Sequence, residues 1–261
     1  MAFKNREFPA LNTTTDPKHY LQNGPMTQQF LKDKRLDRRM KMAKTDLQKI
    51  KILYRYIHWK KLFGHVAFTP KSFKRKFKFR RTAAEVWESG RMTGCTDYAL
   101  VFATLARKYG IPTTYLATAE RGCINEITSG KDLRKYSGHA FCECFADGKW
   151  VLADPTAGIT EMSYDPSNIQ LTGIHNVAYC KNFVAYGRSL DIKHKQTVQE
   201  FNESMRDYFL SGPIEPQITG VTLEERNLAG GAPETEVVAI PQNISQKQKE
   251  GNEIEQQNPS L

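Results

Sequence analysis

The stretch from Thr93 to Pro112, TGCTDYALVFATLARKYGIP, constrains the fold more than any other. Ala99, Leu100, Val101, Phe102, Ala103, Leu105 and Ala106 fall on almost every side of a helix with 3.6 residues per turn. A helix that is apolar all round has to be buried, so it is expected at the centre of a domain. Gly94 and Cys95 open it, Gly110 stops it, and Pro112 forbids its return. The Cys95 thiol therefore stands at a helix N-terminus. The macrodipole and the unpaired N–H groups there stabilise a thiolate, and they can also receive an oxyanion when a carbonyl is attacked. The plain alternative is a small buried hydrophobe, the usual fate of a lone cysteine.

Nucleophilic catalysis needs a base within reach and a group that orients the base. TTYLATA reads as a strand, and HAFCECFA, the turn DGK and WVLAD read as an antiparallel hairpin. His139 opens the first strand of that hairpin and Asp154 closes the second. A tight turn near residues 147–149 brings the two close to opposite each other at the open end. Taken singly, a strand histidine usually satisfies a local hydrogen bond, and an Asp before Pro often starts a turn. The three residues together are harder to obtain by accident.

Elsewhere the patterns are simpler. Residues 1–26 look irregular, with Pro9, Pro17 and Pro25. From Thr27 to Phe63 the pattern is helical, with Leu36, Met40, Ala43, Leu47, Ile50, Tyr54 and Ile57 on one face. Gly64 to Arg81 looks loop-like and ends in KSFKRKFKFRR, where Phe73, Phe77 and Phe79 interleave with seven Lys or Arg. That string suits a half-buried strand with a basic outer face, or contact with single-stranded nucleic acid. Thr82 with Glu85 forms a capping-box pattern for a short helix that Gly90 can end. Strand-like stretches recur over Ile169–Tyr186, and Val198, Phe201, Met205 and Phe209 mark a last amphipathic helix. Beyond Gly212 the chain turns polar, and residues 213–261 read as a disordered tail.

Charge is uneven: residues 1–110 carry 25 Lys and Arg against 8 Asp and Glu, and the remainder carries 13 against 20. A basic half suits a solvated face, or an anionic partner such as nucleic acid or an acidic protein. No apolar run is long enough for a membrane span, and the start lacks the apolar core of a secretory signal. A cytoplasmic location follows as the expectation, with Cys95, Cys123, Cys142, Cys144 and Cys180 as thiols rather than disulfides. Four of these, Cys123, Cys142, Cys144 and Cys180, could in principle hold zinc. Without a C-x-x-C knuckle, no metal or cofactor is expected.

GCTDYALVFATLARKYGIP together with GHAFCECFADGKWVLADPT resembles the core of the transglutaminase-like superfamily, a branch of papain-like cysteine folds, over about Thr82 to Thr156. The resemblance implies an α+β domain over residues 27–212, with a buried helix that begins at the cysteine packed on an antiparallel sheet. It puts the family's nucleophile on Cys95, its base on His139 and its orienting carboxylate on Asp154. Phe141 stands where many members carry Trp, and Trp87 is the candidate for a second oxyanion donor. The function implied is cysteine-dependent acyl chemistry on amide bonds of a protein or peptide, either hydrolysis or transfer to an amine. The rival is a catalytically idle module that binds through its basic N-terminal half.

Overall fold

The computed structural model describes residues 16–28, 31–60, 69–131, 137–162, 164–166, 170–174, 182–192, 195, 197–210 and 221–223. The helical pattern of the N-terminal third is broken rather than continuous. Helix α1 runs Lys34–Met42 under an Asp33 cap that accepts from the Arg35 and Leu36 N–H groups. Ala43 is extended, and Thr45 then caps α2, Asp46–Arg55, which continues as a π-helical turn over Tyr56–Lys60. The capping chemistry of Thr45 and Asp46 interrupts a stripe whose spacing alone looked unbroken.

A second difference concerns KSFKRKFKFRR. Lys71–Phe77 is a helix, α3, not a loop or a strand. Its Phe73 and Phe77 rings lie one helical turn apart, with centroids at 4.5 Å, and both meet the Arg81 guanidinium. The alternation of aromatic and basic residues that suggested a strand arises because Phe79 lies past the helix end.

Helix α4, Ala83–Ser89, carries the expected capping box between Thr82 and Glu85, and it ends at Gly90 in the left-handed conformation. Helix α5, Cys95–Lys108, is buried along most of its length. Strand β1, Thr113–Glu120, leads into α6, Arg121–Thr128, which the sequence reading did not anticipate. Strands β2, Gly138–Ala146, and β3, Lys149–Asp154, form the expected hairpin. Its turn residues Asp147 and Gly148 both have positive φ, at 49° and 85°, as a two-residue turn between twisted strands requires. Asp147 also accepts from the Asp46 and Leu47 N–H groups and so ties the hairpin tip to the start of α2.

Strands β4 (Ile159–Glu161), β5 (Gln170–Ile174), β6 (Phe183–Ser189) and β7 (Val221–Leu223) complete a sheet of order β4-β3-β2-β1-β6-β5-β7, and α7 spans Val198–Leu210. All pairings are antiparallel except β5 with β7. Of residues 213–261, only Val221–Leu223 is described, and it pairs with β5.

Alternation along β2 divides the core. Ala140, Cys142, Cys144 and Ala146 join the cluster built on α5, α2 and α4. Phe141 lies on the other face with Leu116, Leu152, Tyr164 and Phe183. This is the α+β architecture expected, with the buried helix packed on an antiparallel sheet.

Candidate active site

Cys95 is the first residue of α5, preceded by Gly94. Of the four described cysteines it is half-exposed, whereas Cys123, Cys142 and Cys144 are buried. The residues leading to it are held by a buried ion pair. Arg81 Nη2 lies 2.5 Å from Asp97 Oδ2, and the same oxygen accepts from Thr93 N at 2.6 Å and Thr93 Oγ1 at 2.7 Å. Arg81 also donates to Ser89 Oγ and to the Arg91 carbonyl. Burial pushes the Asp97 carboxyl up despite the neighbouring Arg81 charge. Sequence reasoning missed this clamp. Asp97 in the first turn of α5 was its one visible sign, and Arg81 was counted only as part of a basic run.

His139 is placed by its strand. Residue 138 has to be glycine, because a Cβ there would collide with the Thr118 carbonyl oxygen across the β1–β2 pair. Thr118 Oγ1 in turn donates to the His139 carbonyl at 3.0 Å. The β2–β3 register pairs Cys142 with Ala153. One step further along the ladder, Asp154 faces Phe141 and reaches His139 on the diagonal. His139 Nε2 lies 3.0 Å from Asp154 Oδ2, while Asp154 Oδ1 accepts from Thr156 N and Ala157 N at 2.9 and 3.2 Å. The carboxylate is thus fixed by two backbone donors and aimed by the other oxygen. His58 Nε2 contacts the Pro155 carbonyl at 2.7 Å and its ring stacks on Tyr98, which steadies the turn after Asp154.

With Nε2 turned to Asp154, the other ring nitrogen of His139, Nδ1, is the one left to meet the Cys95 thiol. Burial raises the Cys95 pKa, but the His139 charge and hydrogen bond, the Ala140 N–H and the Lys78 charge outweigh it, so the thiol is more acidic than usual. Burial lowers the His139 pKa, but the Asp154 charge, then Cys95, push it well above its usual 6.5. Both shifts favour a proton on His139 and a negative charge on sulfur.

The three residues singled out from the sequence therefore meet at one point. Trp87, the candidate second donor, stacks on Tyr56 with centroids 6.3 Å apart and belongs to the core cluster. Cys142 donates to the Ala99 carbonyl, and burial drives both the Cys142 and Cys144 thiols up, Cys144 to about 12. Cys123 sits in a separate cluster with Ala119 and Val184, and Cys180, the fourth residue of the zinc idea, lies outside the described residues. Among the described residues, no group of three or more His, Cys, Asp or Glu is placed to hold a metal. Also among the described residues, no helix is long and apolar enough to cross a membrane.

A cysteine that opens a buried helix, set against a histidine on an antiparallel hairpin, defines the papain-like class of α+β folds. Residues 34–155 match the family model of the transglutaminase-like superfamily, a match that points to a cysteine-based enzyme in general. No curated protein matches the chain. Among solved structures it is similar to a "Putative Cysteine Protease" from Cytophaga hutchinsonii, at 15% identity and a TM-score of 0.35. That alignment covers 70% of this chain and spans half of the other.

Proposed function

We propose that the protein carries out cysteine-dependent acyl chemistry on amide bonds of a protein or peptide, with Cys95 as nucleophile, His139 as acid and base, and Asp154 as the group that orients His139. The observation that carries this reading is the 3.0 Å His139–Asp154 contact beside a half-exposed thiol of lowered pKa. The Cys95 thiolate adds to the amide carbonyl carbon, and the negative charge moves to oxygen near the N–H groups that open α5. As the C–N bond breaks, His139 gives its Nδ1 proton to the departing amine. This leaves a thioester on Cys95. Water then attacks the thioester, His139 takes the water proton, and the thiolate leaves. An amine in place of water would give acyl transfer. Hydrolysis of a peptide or isopeptide bond is the leading form and transfer to an amine the second. A cytoplasmic setting fits thiols rather than disulfides.

The competing nucleic-acid reading has two rings to draw on rather than three. Phe79 is buried against Phe201 with centroids at 4.4 Å, whereas Phe73 and Phe77 stay half-buried beside Arg81. Iodoacetamide labelling followed by peptide mapping tests the nucleophile. Cys95 is expected to react fastest near neutral pH. Equal or faster reaction of Cys123 or Cys180 in the folded protein overturns the assignment.

A further inference from the structure

Helices α4, α5 and α7 each carry an acidic residue three positions after the cap, and α5 uses it differently. In α4 the Glu85 carboxylate returns to the N–H of the cap residue, Thr82, at 2.6 Å. In α7 Glu200 does the same at Thr197, also at 2.6 Å. Both close a helix start on itself. In α5 the Asp97 carboxylate reaches past the cap, Gly94, to Thr93 one residue upstream, where a single oxygen accepts from both N and Oγ1.

Gly94 brings no side chain to the N–H groups that open α5. Its backbone is extended, and a Cβ there would meet nothing within 4 Å. The peptide that carries the Cys95 N–H therefore borders open space on that side, and a glycine does little to hold it. Its orientation is set from its two ends, α5 on one side and Thr93 on the other. Asp97 fixes Thr93, and Arg81 fixes Asp97 with Nη2 at 2.5 Å. Arg81 is anchored in turn by donation to Ser89 Oγ at 2.7 Å and the Arg91 carbonyl at 2.8 Å, and by the faces of the Phe73 and Phe77 rings. Both charged side chains are buried. A buried ion pair adds little net stability, because desolvation of the charges offsets their attraction. What it supplies is a fixed geometry, here directly upstream of the nucleophile.

We infer that Arg81 is a positioning residue for acyl transfer: acting through Asp97 and Thr93, it aims the Gly94–Cys95 peptide whose N–H receives the developing oxyanion. This rests on Cys95 being the nucleophile.

Two reagents that attack the same sulfur by different routes test the idea without a known substrate. With p-nitrophenyl acetate the thiolate adds to a carbonyl, charge moves to oxygen, and p-nitrophenolate leaves to give a thioester. With iodoacetamide the thiolate displaces iodide at a saturated carbon, and no oxyanion forms. The readout is the ratio of acylation to alkylation at Cys95 in the full chain, with acylation taken as nitrophenol release above that of Cys95→Ala. Arg81→Met is expected to lower the ratio on the order of tenfold, less than the hundredfold or more that loss of a whole oxyanion donor costs. Arg81→Met/Asp97→Leu, which removes both buried charges and so protects the fold, is expected to lower it as much. Thr93→Val keeps the ion pair and is expected to lower it about threefold. Thr82→Ala, which removes the α4 cap, is expected to lower the melting temperature and leave the ratio unchanged. A wild-type ratio in either Arg81 variant, once circular dichroism shows it folded, overturns the proposal. An unchanged ratio in Thr93→Val overturns it even if neither Arg81 variant folds. An equal fall in Thr82→Ala overturns it too, because the ratio then follows stability alone. If wild type releases nitrophenol no faster than Cys95→Ala, the nucleophile assignment itself fails, a result legible before any Arg81 variant is made.

Discussion

Strand β2 carries two buried polar clusters four residues apart, and they are built to opposite ends. At Glu143 every contact closes. Arg188 grips the carboxylate through Nε at 2.5 Å and Nη2 at 2.6 Å, Tyr164 donates at 2.5 Å and Thr114 at 2.8 Å. Arg188 Nη2 spends its remaining capacity on the Pro166 carbonyl. At His139 the network closes on one side only: Asp154 is held by the Thr156 and Ala157 N–H groups, but the chain of contacts ends at the half-buried Cys95. A buried polar network satisfied by its own side chains stabilises one conformation, whereas one that ends at an accessible nucleophile can take part in a reaction. Burial and charge are alike in the two places, and the difference is the open end.

The sharpest way to break the comparison is to delete the open end. Cys95→Ala and His139→Ala are each expected to reduce turnover of any substrate found by a factor on the order of a thousand or more, with circular dichroism unchanged. Turnover by Cys95→Ala at the wild-type rate would make the His139 network merely structural, like the Glu143 one.

Asp154→Asn is expected to have the next largest effect on rate, leaving residual activity and a shifted pH profile, because the residue orients and stabilises the imidazolium without reacting. A mutant silent in both rate and pH–rate curve would mean that another group orients His139. Glu143→Gln is the mirror experiment. It leaves Arg188 buried without its charge partner, at a cost of about 3–5 kcal/mol. For a domain of this size the melting temperature is expected to fall by roughly 10 °C, while the folded fraction still alkylates at Cys95. Loss of alkylation at a temperature where the variant is folded would show that the two clusters are coupled.

The pH dependence separates them further. Cys95 alkylation needs the thiolate, whose population falls as pH drops through the lowered Cys95 pKa; the imidazolium is lost as pH rises through the raised His139 pKa. Wild-type reactivity with iodoacetamide is therefore expected to begin below the usual thiol range, and His139→Ala to move that rising limb upward. Identical limbs in the two proteins would remove the His139 charge from the account. The smallest effect is expected at Gly138→Ala. Its added methyl meets the Thr118 backbone, which should cost about 1–3 kcal/mol and tilt His139, so that turnover falls more than stability requires. If kcat tracks the folded fraction alone, Gly138 serves the strand and not the site.

Local rules carried much of the candidate site. A helix apolar all round and bounded by Gly and Pro has one solution, burial, and its first residue is Cys95 whatever packs around it. The Asp147–Gly148 turn fixes the β2–β3 register, and the register puts His139 near Asp154. Both arguments need only sequence-adjacent geometry. The errors arose where two local rules competed. The α1–α2 stripe kept helical spacing across a cap at Thr45, and the Phe73–Phe77–Phe79 series fitted alternation and helix equally well until Arg81 supplied the rings with a partner.

By itself, then, the sequence determined which elements form and which chemistry-bearing residues begin or end them, because capping, periodicity and turn conformation depend on neighbours a few positions away. The tertiary structure alone decided which distant groups share a site. The Arg81–Asp97 clamp, the glycine forced at 138 by the Thr118 carbonyl and the left-handed Phe79 stacked on Phe201 have no local signature. Each depends on a contact between separate segments whose cost in strain or desolvation only the assembled core can offset.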